Sequence, residues 1–114
     1  MKISEIINLL KCEVMSGITK GDIEITNCLC SDMMSDVLAF AKPGALLITG
    51  LTNAQSVRTA DFAESAAILY IRGKKPDAQA IELAQELHIP ILATKLGMFE
   101  ACGILFREGM KGIC

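Results

Sequence analysis

The residues of this 114-residue chain that could do chemistry are five cysteines, one close pair of carboxylates and four polar stretches that each end an apolar run. Asp32 and Asp36 stand four residues apart around a helix start. Two carboxylates so placed could share acid–base work or bind a divalent cation. Cys28 and Cys30 form a Cys-x-Cys, which on a strand puts both thiols on one face. Two thiolates could begin a metal site, but tetrahedral zinc wants about four ligands and the chain has one histidine, His88. Cys12, Cys102 and Cys114 complete the set, and an odd count argues against a disulfide framework. Most of the five are expected to be small buried apolar residues. No serine or cysteine has an evident partner for a nucleophilic triad.

The four polar stretches are Ser31-Asp32, Thr49-Gly-Leu-Thr-Asn53, Arg72-Gly-Lys-Lys75 and Thr94-Lys95. Each precedes a helical pattern, and helix N-termini favour anions through their free N–H groups and dipole. The expected ligand-binding set is Ser31, Asp32, Thr49, Gly50, Thr52, Asn53, Lys74 and Lys95. Its ligand would be a small anion: a nucleotide, a phosphate or a carboxylate. Capping accounts for the Ser, Thr, Asn and Asp residues without any ligand, with Ser31 or Asp32 capping one helix and Asp36 in its first turn. The phosphate-loop pattern G-x-x-x-x-G-K-S/T is absent, and so is G-x-G-x-x-G.

Short elements must position these residues. Ile3, Ile6, Ile7, Leu9 and Leu10 repeat with helical spacing behind Ser4. Cys12 to Met15 follows as a short strand. Ile23 to Cys30 alternates with period two, which predicts a strand with Ile23, Ile25 and Leu29 on one side. Met33 to Ala41 reads as a helix with Met34, Val37, Leu38 and Ala41 inward, stopped by Pro43-Gly44. Ala45 to Thr49 is a continuous apolar run, as in a strand covered on both faces. A helix over 54 to 65, with Val57, Ala60 and Ala63 inward, leads to a strand at Ala66 to Ile71. Asp77 caps a helix through Ile81, Ala84 and Leu87, which ends at His88. His88 to Ala93 is the last strand, and Pro90 near its start favours an edge position or the strand's first residues. The final helix turns Met98, Ala101, Cys102 and Leu105 inward, and the residues after Gly109 are expected to be loose.

This β-α rhythm predicts an α/β fold: a mostly parallel sheet of four to five strands, joined by right-handed crossovers, with helices on both faces. The length suits a single domain. Composition is 52% hydrophobic and 21% charged, with mean hydropathy +0.44, which fits a globular chain with apolar surface to spare. Eleven Lys and Arg against thirteen Asp and Glu give a net charge of −2, which argues against nucleic acid as the main partner. The longest apolar runs are of strand length, far below the ~18 residues of a membrane span. The N-terminus has no secretion-signal pattern. The expectation is a cytoplasmic protein without membrane contact, cofactor or metal, whose surplus apolar surface serves a homodimer.

The chain resembles a stand-alone DRTGG domain, similar to the N-terminal non-catalytic domain of HPr kinase/phosphorylase and, more distantly, to the first domain of Mur ligases. The residues that carry the resemblance are Ser31-Asp-Met-Met-Ser-Asp-Val-Leu38, Pro43-Gly-Ala-Leu-Leu-Ile-Thr-Gly-Leu-Thr-Asn53, Ile71-Arg-Gly-Lys-Lys-Pro76 and Met98-Phe-Glu-Ala-Cys-Gly103. They span most of the chain, from about Ile23 to Arg107. The Asp-Arg-Thr string that names the family does not follow Leu46–Thr49, where Leu51-Thr-Asn53 stands instead. The resemblance implies a non-catalytic regulatory or dimerisation module, since related domains accompany phosphotransacetylases, nucleotide-sensing CBS pairs and HPr kinases, whose neighbours carry the chemistry. It implies no kinase activity, because a P-loop domain is absent from these residues. Two other readings stay open on the residues alone. One is a small enzyme using Asp32, Asp36 and a rim lysine. The other is a metal or redox module on Cys28 and Cys30.

Overall fold

Apolar runs of about four residues, each followed by an amphipathic helix, give this chain its architecture. The computed structural model describes residues 1–17 and 21–113. Its elements are α1 (Ile3–Leu10), β1 (Glu13–Ser16), β2 (Asn27–Cys30), α2 (Met34–Phe40), β3 (Leu46–Thr49), α3 (Ala54–Phe62), β4 (Ala67–Tyr70), α4 (Ala78–Leu87), β5 (Ile91–Ala93), α5 (Met98–Arg107) and β6 (Lys111–Gly112). They form one six-stranded sheet in the order β1-β5-β4-β3-β2-β6. All neighbours are parallel except β1, which runs antiparallel to β5. The sheet is therefore mostly parallel, as expected, with one strand more than the four to five anticipated.

Helices cover both faces because β3 and β4 are buried on both sides. Alternate side chains go to opposite layers. Leu46, Ile48, Ala67 and Leu69 face α1 and α5, where Ile3, Ile6, Leu10, Ala101 and Leu105 pack. Leu47, Ile68 and Tyr70 face α2, α3 and α4, where Val37, Val57, Ala60, Ala80 and Ala84 pack. Leu47→Ala would cost about 2–5 kcal/mol, the usual range for truncating a fully buried leucine.

Three expectations need correction. First, the strand over Ile23–Cys30 is real only from Asn27. Ile25 and Cys28 face the same layer and Leu29 the other, so period two breaks near Thr26. The physical cause is competition: the Ile25 N–H donates to the Met1 carbonyl at 2.7 Å, and the Ile3 N–H to the Ile23 carbonyl at 2.9 Å. Residues 23–25 thus pair with the start of the chain rather than with the sheet. Second, the chain after Gly109 is not loose. Met110 and Ile113 are buried in opposite layers, and Lys111 and Ile113 donate to Thr26 and Cys28 across the free edge of β2. Two residues including a glycine give no periodic signal. Third, Leu38 is 49% exposed, because the seven-residue α2 buries only Val37 fully. Cys114 lies outside the described residues.

Candidate functional site

Parallel strands bring their C-terminal ends to one rim, so the polar residues that follow them are gathered by topology. The exits of β2, β3, β4 and β5 carry Ser31-Asp32, Thr49 to Asn53, Arg72 to Lys75, and Thr94-Lys95. What each side chain does there differs from turn to turn.

Asn53 and Asp77 are ordinary caps. The Asn53 carboxamide oxygen accepts from the Ser56 N–H at 3.1 Å, and the Asp77 carboxylate from the Ala80 N–H at 2.8 Å. Ser31 closes its own turn by accepting from the Met33 N–H at 3.0 Å. Asp32 does not cap α2, whose Ncap position is Met33 with no side-chain bond. Its carboxylate reaches across to the next strand, accepting from the Gly50 N–H at 2.7 Å and the Thr49 hydroxyl at 3.2 Å. An Arg72 guanidinium nitrogen lies 3.5 Å from its other oxygen. Capping was the expectation for Asp32; a buried N–H on β3's exit competes better for the carboxylate, since leaving such a donor unpaired costs about 1–3 kcal/mol.

Asp32 thus ties the exits of β2, β3 and β4 together. The Gly50 N–H holds its carboxyl below the usual carboxylate range, with help from Thr49 and Arg72 against a partial desolvation. A side chain at Gly50 would have to displace the end of the Arg72 side chain. A Cβ there would meet the Arg72 guanidinium at 2.6 Å and an Asp32 oxygen at 3.3 Å. Lys74 donates to the Gly50 carbonyl at 3.2 Å from the other side. Arg72 is itself in the left-handed region (φ 60°), followed by Gly73 at φ 69°. For a non-glycine residue that conformation costs about 1–2 kcal/mol. It turns the Arg72 and Gly73 N–H groups onto the Leu96 and Thr94 carbonyls, at 2.7 and 2.9 Å, so the β4 exit is fastened to the β5 exit. The Thr94 hydroxyl then donates to the Leu10 carbonyl at 2.8 Å.

Of the eight residues expected at the site, Asp32, Thr49, Gly50 and Lys74 come together. Ser31, Thr52 and Asn53 lie on the same rim but serve local turns, Thr52 through its carbonyl, which accepts from the Asp77 N–H at 3.3 Å. Lys95 lies farther along, lining a recess of about 280 Å³ with Lys11, Glu13, Gly73, Lys75 and Thr94. There Lys75 pairs with Glu13 at 2.9 Å. Arg72 was not in the expected set. Its position at the end of a buried strand was visible, but its meeting with Asp32 across β3 depends on strand order.

Asp36 does not join this group. It is exposed in the first turn of α2, with no side-chain hydrogen bond or ion pair among the described residues, while Asp32 is held by Gly50 and Thr49. The proposed carboxylate pair is therefore not assembled.

The thiols lie elsewhere. Cys28 and Cys30 project from the same face of β2, with their sulfurs 4.0 Å apart, as the Cys-x-Cys spacing requires. Cys102 of α5 brings a third sulfur to 3.2 Å from Cys30. The described residues contain no group of three or more Cys, His, Asp or Glu side chains placed to hold a metal ion. The three thiols border an apolar groove of about 680 Å³ flanked by Phe99 and Phe106, which are 90% and 76% exposed.

Comparison with known proteins agrees with the architecture. No curated protein matches the chain significantly. The crystal structure of the CBS and DRTGG domains of the regulatory region of a Clostridium perfringens pyrophosphatase, complexed with its activator diadenosine tetraphosphate, superposes with a TM-score of 0.78 at 17% identity. The alignment covers 90% of this chain and 45% of that one, so this chain spans less than half of that regulatory region. At that identity the likeness is one of fold. The sequence matches the family described as the DRTGG domain over residues 5–107, nearly its whole length, and the chain belongs to that family.

Proposed function

We propose that this DRTGG domain is a non-catalytic regulatory module that self-associates and binds a small anionic ligand, such as a nucleotide, at the strand-exit rim. The observation that carries the ligand reading is the charge left over there. Arg72, Lys11, Lys74, Lys75 and Lys95 surround exits where Asp32 is paired with Arg72, Glu13 with Lys75, and Asp77 is committed to the α4 cap. Lys11, Lys74 and Lys95 are left without a carboxylate partner among the described residues and attract phosphate, in a protein whose net charge is −2. The likeness to a regulatory region crystallised with a dinucleotide activator supports the same reading. A non-catalytic role fits the exposed, unpaired Asp36 and the commitment of Asp32 to holding strands. Cytoplasmic location remains part of the proposal.

Self-association is supported by the apolar groove beside α5, where two phenylalanines stand in solvent. Isolated exposed apolar residues are ordinary, whereas a contiguous apolar surface of this kind suits a protein contact. Light scattering at high protein concentration tests this part, with a dimer expected and a monomer contradicting it. A thermal-shift screen with ATP, diadenosine tetraphosphate and inorganic phosphate tests the ligand part.

A further inference from the structure

We propose that Cys30 and Cys102 form a reversible dithiol–disulfide couple, with Cys102 as the thiol that takes the first small disulfide. Three observations converge on this assignment. The two sulfurs already lie 3.2 Å apart, against about 2.0 Å in a disulfide. Both residues are half-buried rather than sealed, and both border the groove between α5 and the β2–β6 edge, which admits a small reagent. The pair also joins two elements distant in sequence, unlike Cys28 and Cys30, which share one strand.

The two thiols differ in the way an attacking and a resolving thiol must. Contact with Cys30 brings the Cys102 pKa down to about 7, against some desolvation, and the same neighbour lowers that of Cys28. Cys30 is pushed strongly upward by its hydrogen bonds to Cys102 and Cys28, by burial and by their charges. Of the two lowered thiols, Cys28 is buried, whereas Cys102 is half-buried and borders the groove, so Cys102 is the one a small disulfide reaches. Cys12, by contrast, is raised to about 11 by burial.

The reaction with oxidised glutathione runs in two exchanges. The Cys102 thiolate attacks one glutathione sulfur. The glutathione S–S bond breaks, and one glutathione leaves as a thiolate and takes up the Cys102 proton through solvent. The mixed disulfide removes the thiolate charge that had held the Cys30 proton. Cys30 then releases that proton to solvent, its thiolate attacks the Cys102 sulfur, and the second glutathione leaves as a thiolate that takes up a proton. Two protein thiols become one disulfide, and one small disulfide becomes two thiols. Oxidation fixes α5 to β2 between Phe99 and Phe106, which lie three residues before and four after Cys102 on the same helix.

The test treats the reduced full chain with excess oxidised glutathione, quenches with acid, and reads intact mass and crosslinked peptides. The wild type is expected to lose the mass of two hydrogens, to retain no glutathione, and to yield a Cys30–Cys102 crosslink. Cys30→Ser is expected to keep one glutathione on Cys102, and Cys28→Ser to behave as the wild type. An unmodified wild type, a wild type that keeps glutathione on Cys102, or a crosslink through other cysteines would each overturn the proposal. The wild-type map decides the matter by itself where a variant fails to fold.

Discussion

The strand-exit rim and the α5 groove are built from opposite materials. At the rim, almost every polar group is spent on another part of the fold. Asp32 binds Gly50 and Thr49, Lys74 binds the Gly50 carbonyl, Arg72 and Gly73 bind the β5 exit, and Thr94 binds the end of α1. In the groove the lining is apolar and two large side chains have nothing to pack on. The rim is tied together by these bonds and carries Lys11, Lys74 and Lys95 without a carboxylate partner among the described residues. The groove is apolar and bordered by thiols that lie close enough to react. The difference teaches that the ligand reading and the self-association reading use separate surfaces, so a variant in one region should leave the other property unchanged.

Phe99→Glu with Phe106→Glu should produce the largest effect. Charges at buried interface aromatics cost about 2 kcal/mol or more, roughly a thirtyfold weaker dimer. Sedimentation equilibrium reads that change. The thermal stability of the dilute protein should move by no more than about 0.5 kcal/mol, since both rings are exposed. Asp32→Ala comes next, and acts on the rim alone. It strands the Gly50 N–H and should cost about 1–2 kcal/mol in urea unfolding, with dimerisation unchanged.

The acid response sharpens the rim side. The Asp32 carboxyl is held below its ordinary value, so its stabilisation is present above the unfolded value of about 3.9 and is lost as pH falls through the lowered folded value. Glu13 and Asp22 are lowered too, the first chiefly by the Lys75 hydrogen bond and the second by Ser4, so they share the acid loss. Asp32→Asn should therefore make the fall in Tm below about pH 4 shallower without abolishing it.

The smallest effect is a contrast within one position. Arg72→Ala removes an ion pair whose partners are each 48% exposed, a loss below about 1 kcal/mol. Arg72→Gly removes the same pair but relieves the left-handed strain at φ 60°, so it should be more stable than Arg72→Ala by about 1 kcal/mol. Equal stabilities in urea would mean that residue 72 carries no strain.

Much of this fold was legible in the residues, because apolar runs and turn residues act locally. The buried runs at Leu46–Thr49 and Ala67–Tyr70, the caps Asn53 and Asp77, and the His88 helix end at φ 57° follow from nearest neighbours. What was not legible depends on partners distant in the chain. Ile23 and Ile25 alternate like a strand, yet they pair with Met1 and Ile3. Asp32 has the sequence position of a cap, yet it serves Gly50 eighteen residues on. Cys102 looked like one core residue of a helix, and only the packing of α5 over β2 sets its sulfur against Cys30. The rim's location could be read from the strand exits. Its internal bonding, and the entry of Arg72 into it, could not.

The central claim is that the surplus cations of the rim hold a small anion. Its most direct test is the Tm of the wild type and of Lys74→Ala with Lys95→Ala, with and without ATP, diadenosine tetraphosphate or inorganic phosphate. A ligand at a hundred times its Kd adds about 2.7 kcal/mol, on the order of 10 °C for a domain of this size. The account predicts such a rise for at least one of these anions in the wild type and its loss in the double variant. No rise with any of them, or an equal rise in both proteins, would contradict it.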